Sequence, residues 1–205
     1  MQYLAEVGHM NPTSARPAVF LDRDGTLIES VHYLCDPAQV RLLPEVSQAL
    51  QRLRAAGFVC VIATNQAAIG KGLLTTARLD EIHAELKRQL AAEGAAVDAI
   101  YHCPTAGVSE DRTVVECVDR KPGPGMLQRA AREMNLDLPR SWMIGDQVSD
   151  ALAGHHAGCR AILVGPDAPA RAALLDPQVN CLIARDFAQA VEMILMEGSS
   201  ERTCR

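Results

Sequence analysis

Six short apolar runs along the chain predict buried β-strands. Residues 19–21 and 58–63 contain no polar side chain, which is typical of strands covered on both faces of a sheet. Four later runs are also strand-sized, at residues 99–103, 142–145, 161–164 and 181–183. The chain therefore has enough strand segments for one sizeable sheet.

Apolar residues spaced three or four positions apart predict helices between these strands. The first predicted helix, residues 45–56, ends before Gly57. The second begins at Thr75 or Thr76, either of which is able to cap it, and runs until Gly94. Three more helices are predicted at residues 126–134, 149–157 and 186–196.

Strands and helices alternate along the chain, with Gly57, Gly94 and Gly158 between a helix and the next strand. This alternation is typical of the α/β class. We therefore predict a doubly wound, Rossmann-like parallel sheet with helices on both faces. The segments between the polar motifs that are described below are short, so we expect no large cap domain inserted between them.

The chain has 205 residues, of which 48% are hydrophobic, and this length suits one core. We predict a single domain at residues 17–197, a flexible leader at residues 1–16 and a flexible tail at residues 198–205. No apolar run resembles a signal peptide or a membrane span. We therefore expect no membrane partner and favour a monomer, although the sequence leaves the oligomeric state open.

The net charge of −5, with scattered basic residues, gives no footprint for a nucleic-acid backbone. The seven cysteines are odd in number, dispersed, and contain no CxxC pair. Such usage favours a reducing compartment over a disulfide framework. We therefore predict a cytoplasmic protein that does not bind nucleic acid.

Polar side chains follow three of the predicted strands. Asp22 and Asp24 come after the first, Thr64 and Asn65 end the second, and Asp146 follows the fourth. Ligands of open α/β sheets bind beyond the carboxyl ends of the strands. Neighbouring carboxylates repel, and a hard cation with oxygen ligands relieves that repulsion. We therefore predict a Mg²⁺ site here, although an Asp-Gly pair alone is also a common turn.

Four motifs resemble, in order, those of the haloacid dehalogenase-like (HAD) phosphohydrolases. They are Asp-Arg-Asp-Gly-Thr at 22–26, Thr-Asn-Gln at 64–66, Lys-Pro-Gly-Pro-Gly-Met at 121–126 and Gly-Asp-Gln-Val-Ser-Asp at 145–150. Within that superfamily the chain looks most like the D-glycero-D-manno-heptose 1,7-bisphosphate 7-phosphatases and the related histidinol-phosphate phosphatases. The resemblance implies a phosphatase that acts on a small phosphorylated substrate.

The resemblance also implies a role for each motif residue. Asp22 is expected to be the nucleophile and Asp24 the general acid/base. Mg²⁺ is expected to bind Asp22, the backbone carbonyl of Asp24 and Asp146, with Asp150 in the outer shell. The phosphoryl group and the rest of the substrate are assigned to six residues: Thr64, Lys121, Asn65, Gln66, Arg120 and Lys71. Without its partner motifs, a lysine such as Lys121 in a Pro-Gly loop is usually exposed to solvent.

Many relatives carry a zinc loop with four ligands, and residues 103–121 preserve only part of it. Cys103 and Cys117 are present, but Thr105 and Asp119 occupy the positions of the other two ligands. Structural zinc needs four ligands. We favour a metal-free specificity loop, with a makeshift site that includes His102 and Asp119 as the alternative.

The substrate stays open at this level. Ile28 and Gln147 differ from residues common in heptose-type enzymes, and histidinol phosphate is the second candidate. A third reading is a phosphate-binding HAD protein that has lost turnover, because fold alone does not fix function. An oxidoreductase is disfavoured, since no G-x-G-x-x-G follows the first strand.

Overall fold

Six parallel strands form one sheet in the computed structural model, which describes residues 15–109 and 111–203. The strands are β1 (Ala18–Leu21), β2 (Val59–Asn65), β3 (Ala99–Cys103), β4 (Trp142–Gly145), β5 (Arg160–Val164) and β6 (Cys181–Ala184). Their order across the sheet is β3-β2-β1-β4-β5-β6, and every neighbouring pair is parallel. The strand order reverses direction around β1, which creates a crevice at the carboxyl ends of β1 and β4.

Seven α-helices in the described ranges connect and cover the strands. They are α1 (Val46–Ala55), α2 (Ala67–Gly70), α3 (Thr76–Ala92), α4 (Gly125–Met134), α5 (Val148–Ala157), α6 (Ala168–Ala172) and α7 (Phe187–Thr203). Helices α1, α3 and α7 pack on one face of the sheet, whereas α4 and α5 pack on the other. The doubly wound α/β prediction is confirmed.

The alternation of side chains along β1 divides the core into two layers. Val19 and Leu21 join the layer under α1, α3 and α7, while Ala18 and Phe20 join the layer under α4. All four residues are fully buried. Because β1 is covered on both faces, its residues are rigidly held. The backbone that carries the side chains after β1 therefore begins at a fixed position.

The predicted end of the last helix needs correction. Helix α7 continues to Thr203 and does not end at Met196, so the predicted tail, residues 198–205, is helical as far as Thr203. A helix that is already formed gains one hydrogen bond for each residue it adds, which outweighs the weak propensity of the Gly-Ser segment. Residues 204 and 205 lie outside the described residues.

The predicted leader, residues 1–16, lies outside the described residues as far as residue 14. Its last residue, Arg16, exchanges backbone hydrogen bonds with Asn135 and Asp137. The described parts of the chain contain no inserted cap domain, and none of their helices is both long and apolar enough to span a membrane. The short helices α2 and α6 were not predicted, because four or five residues show no periodicity.

The cap of α3 yields a test of the fold. Thr75 accepts a hydrogen bond from the backbone N–H of Arg78 at 3.2 Å, whereas Thr76 is the first helical residue. We expect Thr75→Ala to lower the free energy of unfolding by about 1 kcal/mol, because it leaves that N–H without its cap. The matched variant Thr76→Ala should cost nothing measurable in urea unfolding. Equal losses in the two variants would contradict the cap assignment.

Candidate active site

Residues from four segments meet at the carboxyl edge of the sheet. Asp22 follows β1, Thr64 lies near the end of β2 and Asp146 follows β4. Strands β2, β1 and β4 are neighbours in the sheet, so their ends converge. Together with Lys121 and Asp150, these residues line a cleft of about 530 Å³. The structure therefore brings the main predicted residues together.

Lys121 lies at the centre of this arrangement. Its Nζ atom is 2.6 Å from Asp22 Oδ1, 2.6 Å from Asp150 Oδ1 and 2.7 Å from the carbonyl oxygen of Ala63. The lysine is only 3% exposed. Burial acts to lower the pKa of Lys121, but the carboxylates of Asp150 and Asp22 outweigh burial and raise the pKa. The ammonium therefore stays charged inside the protein.

Three carboxylates surround that single ammonium. One oxygen each of Asp22, Asp146 and Asp150 lies within 4.8 Å of the others. Burial raises the pKa of Asp146, and Asp22 raises it further. Burial also raises the pKa of Asp150, even though Lys121 opposes this change. Lys121 and Arg171, whose Nη1 atom lies 3.4 Å from Asp146 Oδ2, supply two positive charges against three carboxylates, and an all-oxygen donor set fits Mg²⁺.

Gly25 is required by the packing of this carboxylate group. A Cβ atom at Gly25 would lie 2.9 Å from Asp146 Oδ2, and the φ angle of Gly25 is +80°. Larger residues are disfavoured by both the contact and the left-handed backbone. The turn after β1 thus allows the Asp146 carboxylate to approach the backbone that follows Asp22.

Asp150 also organises the start of α5. Its carboxylate accepts a hydrogen bond from the backbone N–H of Gln147 at 2.9 Å, in a reciprocal capping arrangement. The same side chain binds Lys121. Asp150 therefore serves helix and site together.

Asp24 is held by its neighbour in sequence and by Gln66. The Arg23 guanidinium donates to both carboxylate oxygens of Asp24 through Nε and Nη2, at 2.8–3.1 Å. Gln66 Nε2 donates to Asp24 Oδ2 at 3.2 Å and to Thr64 Oγ1 at 2.9 Å. Burial raises the pKa of Asp24, and the charge of Arg23 opposes that shift. Gln66, which was expected to contact substrate, lines the cleft, but its side-chain amide nitrogen already donates hydrogen bonds to these two protein side chains.

Asn65 forms a reciprocal pair with the backbone of Lys121. Its Nδ2 atom donates to the Lys121 carbonyl oxygen, and its Oδ1 atom accepts from the Lys121 N–H, both at 3.0 Å. The pair ties the end of β2 to the segment before α4. Asn65 thereby fixes the lysine backbone from which the buried ammonium extends.

Two predicted substrate residues lie at the rim of the cleft. Arg120 donates through Nη1 to the carbonyl oxygen of Thr105 at 3.0 Å, and Lys71 donates to the Tyr33 hydroxyl. Both residues line the cleft with Arg112, which donates to Gln147 Oε1 at 3.2 Å. The outer part of the cleft therefore carries three cationic side chains.

The two cysteines of the partial zinc loop differ in their surroundings. Cys103 is 1% exposed and packs in the core layer under α4, whereas Cys117 is half-buried. The ring of His102 lies 6.0 Å from that of His83. Successive strand residues point to opposite faces, so the side chains of His102 and Cys103 diverge.

Sequence reasoning missed three residues of this region. Arg23 is 1% exposed, although it was considered only as part of a motif. Arg171 on α6 donates to the backbone carbonyl of Asp146, and its Nη1 atom lies 3.4 Å from Asp146 Oδ2. Arg112 contacts Gln147 from a loop. Only Arg23 carried a sequence signal, because it stands between the two aspartates.

Comparison with known proteins first defines a class. Residues 118–190, which include Lys121, Asp146 and Asp150, match the HAD-hydrolase-like family model. A crystal structure of D,D-heptose 1,7-bisphosphate phosphatase from Bordetella bronchiseptica, complexed with magnesium and phosphate, superposes with a TM-score of 0.77. The two sequences are 34% identical, over 88% of this chain and 99% of that one. Fold and site thus define a HAD-like hydrolase.

Relatives narrow this class to a family. The D-glycero-D-manno-heptose-1,7-bisphosphate 7-phosphatase of Thermosynechococcus vestitus is 38% identical over 187 residues, which cover 87% of this chain and 95% of the relative. The D-glycero-beta-D-manno-heptose-1,7-bisphosphate 7-phosphatase of Bordetella bronchiseptica is 36% identical over 185 residues, which cover 88% of this chain and 98% of the relative. The chain belongs to the D-glycero-D-manno-heptose 1,7-bisphosphate 7-phosphatase family.

The carboxylate cluster predicts a metal-dependent gain in stability. We expect Mg²⁺ to raise the melting temperature, since a ligand at a hundred times its Kd adds about 2.7 kcal/mol to stability. Asp146→Asn should abolish most of this gain, because it removes one of the two carboxylates expected to bind the metal directly. The control Asp80→Asn removes an exposed carboxylate of α3 and should retain the gain. Thermal unfolding with and without Mg²⁺ measures both, and an unchanged gain in Asp146→Asn would contradict the site.

Proposed function

We propose that this protein hydrolyses a phosphate monoester of a small sugar phosphate with the help of Mg²⁺. The best candidate is D-glycero-D-manno-heptose 1,7-bisphosphate, with release of the 7-phosphate. The observation that carries the proposal is the buried contact of Lys121 with Asp22 beside two further carboxylates. The named activity of the relatives supports the choice of substrate.

In the first step, a carboxylate oxygen of Asp22 attacks the phosphorus atom. A bond forms between this oxygen and phosphorus, and the bond from phosphorus to the sugar oxygen breaks. Asp24 donates a proton to that departing oxygen, so the sugar leaves as an alcohol. Burial raises the pKa of Asp24, which favours retention of the proton until this step.

In the second step, Asp24 accepts a proton from a water molecule, which attacks the phosphorus of the aspartyl-phosphate. The bond between Asp22 and phosphorus breaks, inorganic phosphate forms, and Asp22 is restored as a carboxylate. When bound by Asp22, Asp146 and the backbone of Asp24, Mg²⁺ supplies positive charge that stabilises the phosphoryl oxygens.

Lys121 and Thr64 are proposed to hold the phosphoryl group. The ammonium of Lys121 neutralises Asp22 and lies where charge develops on the transferring group. Thr64 Oγ1 accepts a hydrogen bond from Gln66, which leaves the hydroxyl hydrogen of Thr64 to be donated to a phosphoryl oxygen. Asn65 contributes indirectly, because it holds the backbone of Lys121.

The rim residues are proposed to select the substrate. Arg120, Arg112 and Lys71 carry positive charge suited to a second phosphate, and a guanidinium binds such an oxyanion through two donors. Residues 103–121 would act as the specificity loop. Glu116 helps to shape this loop, since its carboxylate accepts hydrogen bonds from the N–H groups of Val108 and Ser109.

We also propose a setting for the protein. The six cysteines within the described ranges are free thiols, which supports a reducing compartment such as the cytoplasm. One domain, residues 17–197 with the added turns of α7, would act as a monomer. Its partner is the small phosphorylated substrate, and the acidic net charge of −5 disfavours nucleic acid.

Steady-state kinetics on two substrates test the proposal. We expect kcat/KM for D-glycero-D-manno-heptose 1,7-bisphosphate to exceed that for histidinol phosphate at least about tenfold, because only the former offers a second phosphate to the rim. EDTA should abolish both rates. The variant Asp22→Asn should lose at least about a thousandfold in kcat and still fold, because Lys121 keeps its buried ion pair with Asp150.

The opposite outcomes have clear meanings. A preference for histidinol phosphate would overturn the substrate and keep the reaction class. Tight Mg²⁺-dependent binding of inorganic phosphate without hydrolysis of either compound would identify a binding protein that has lost turnover. An Asp22→Asn variant with the wild-type rate would remove Asp22 as the nucleophile.

A further inference from the structure

A buried arginine lies behind the carboxyl group of Asp24. Arg23 is 1% exposed, and its Nε and Nη2 atoms donate to Asp24. Its third nitrogen, Nη1, lies 3.3 Å from Nε2 of His83. The guanidinium therefore bridges Asp24, at the edge of the cleft, and a histidine on α3.

The chemistry of this contact fixes the state of His83. An arginine side chain only donates hydrogen bonds, so Nε2 of His83 must accept one and the ring proton must lie on Nδ1. His83 is 7% exposed. Burial is the largest cause that lowers the pKa of His83 to about 3, and the charge of Arg23 contributes to the same shift. The ring is therefore neutral at physiological pH.

Both partners are needed to define the orientation of the guanidinium. Nε and Nη2 face Asp24 on one side, and the His83 acceptor holds Nη1 on the other. A buried donor without an acceptor is costly, so without Nε2 of His83 the Arg23 side chain would turn toward another acceptor or water. That movement would release the two-point contact that orients the Asp24 carboxyl group.

We propose that His83 is a positioning residue for proton transfer at Asp24 and that it acts through Arg23. This inference rests on the proposed function, in which Asp24 protonates the departing sugar oxygen. His83 does not line the cleft, so it affects the reaction only through this chain of contacts. The Asp24 carboxyl group would then be aligned from behind by a neutral imidazole 60 positions away from Arg23 in the sequence.

The leaving group distinguishes this role from a purely structural one. A sugar or amino-alcohol phosphate releases a strongly basic alkoxide, which needs a proton from Asp24 as the bond breaks. p-Nitrophenyl phosphate releases a weakly basic phenolate, which needs no proton. Damage to the phosphate site lowers both rates together, whereas misalignment of Asp24 lowers only the first.

The experiment compares kcat for four proteins on the two kinds of substrate with Mg²⁺. The alkyl substrate is heptose 1,7-bisphosphate or histidinol phosphate, whichever the wild type hydrolyses faster. In His83→Phe, which keeps a ring but has no acceptor, we expect kcat on this substrate to fall about tenfold while kcat on p-nitrophenyl phosphate stays within about twofold. His83→Gln, which retains an acceptor, should restore most of the loss.

The control is His102→Leu, which removes the neighbouring imidazole that has no hydrogen bond to Arg23 among the described contacts. Its ratio of alkyl to aryl rates should equal that of the wild type. If His83→Phe does not fold, as judged by thermal unfolding, His83→Gln is compared with His83→Leu instead.

Three results would overturn the inference. Equal losses on both substrates would assign His83 to packing alone, and unchanged rates on both would show that Asp24 does not depend on it. Failure of His83→Gln to exceed the variants without an acceptor would also contradict it. A fourth result, the absence of any Mg²⁺-dependent hydrolysis by the wild type, would overturn the proposed function together with the inference, and it is recognised from the wild type alone.

Discussion

The site depends on one buried ammonium group. Lys121 contacts Asp22 and Asp150, two carboxylates that are also buried. Removal of one partner from a buried ion pair leaves an uncompensated charge, which costs several kcal/mol. The lysine therefore holds Asp22 in place before any ligand arrives, and the carboxylates of Asp22, Asp146 and Asp150 together offer oxygen ligands to a divalent cation.

The order of the strands brings these groups to one place. Strands β2, β1 and β4 lie side by side, so Thr64, Asp22 and Asp146 emerge at a common edge. Lys121 comes from the segment before α4, and its backbone is held by Asn65 at the end of β2. The same edge of the sheet is also supported by Arg23, which connects Asp24 to His83 on α3. The candidate catalytic groups at the surface of the cleft are thus supported by contacts made in the core.

Much of this was readable from the sequence, because strands buried on both faces and glycine-ended helices have strong local patterns. Asp22, Thr64 and Asp146 could be predicted as site residues because each lies at the end of such a strand or directly after it. The burial of Lys121 was not readable from its loop alone, since a lysine beside proline and glycine is usually solvated. The Arg23–His83 contact depends on how α3 packs over the sheet, and a histidine bordering an apolar stripe looks locally like any packing residue. Arg171 reaches Asp146 from a helix too short to leave a periodic signal.

The most direct measurement is to trap the covalent state of the enzyme during turnover. The protein would be mixed with Mg²⁺ and a sugar phosphate, quenched, treated with borohydride and digested for peptide mass spectrometry. An aspartyl-phosphate at Asp22 is reduced to homoserine, so the account predicts homoserine at position 22 with substrate and none without it. Homoserine at position 24, 146 or 150 in place of position 22 would contradict the assignment of Asp22 as the group that Lys121 prepares for attack.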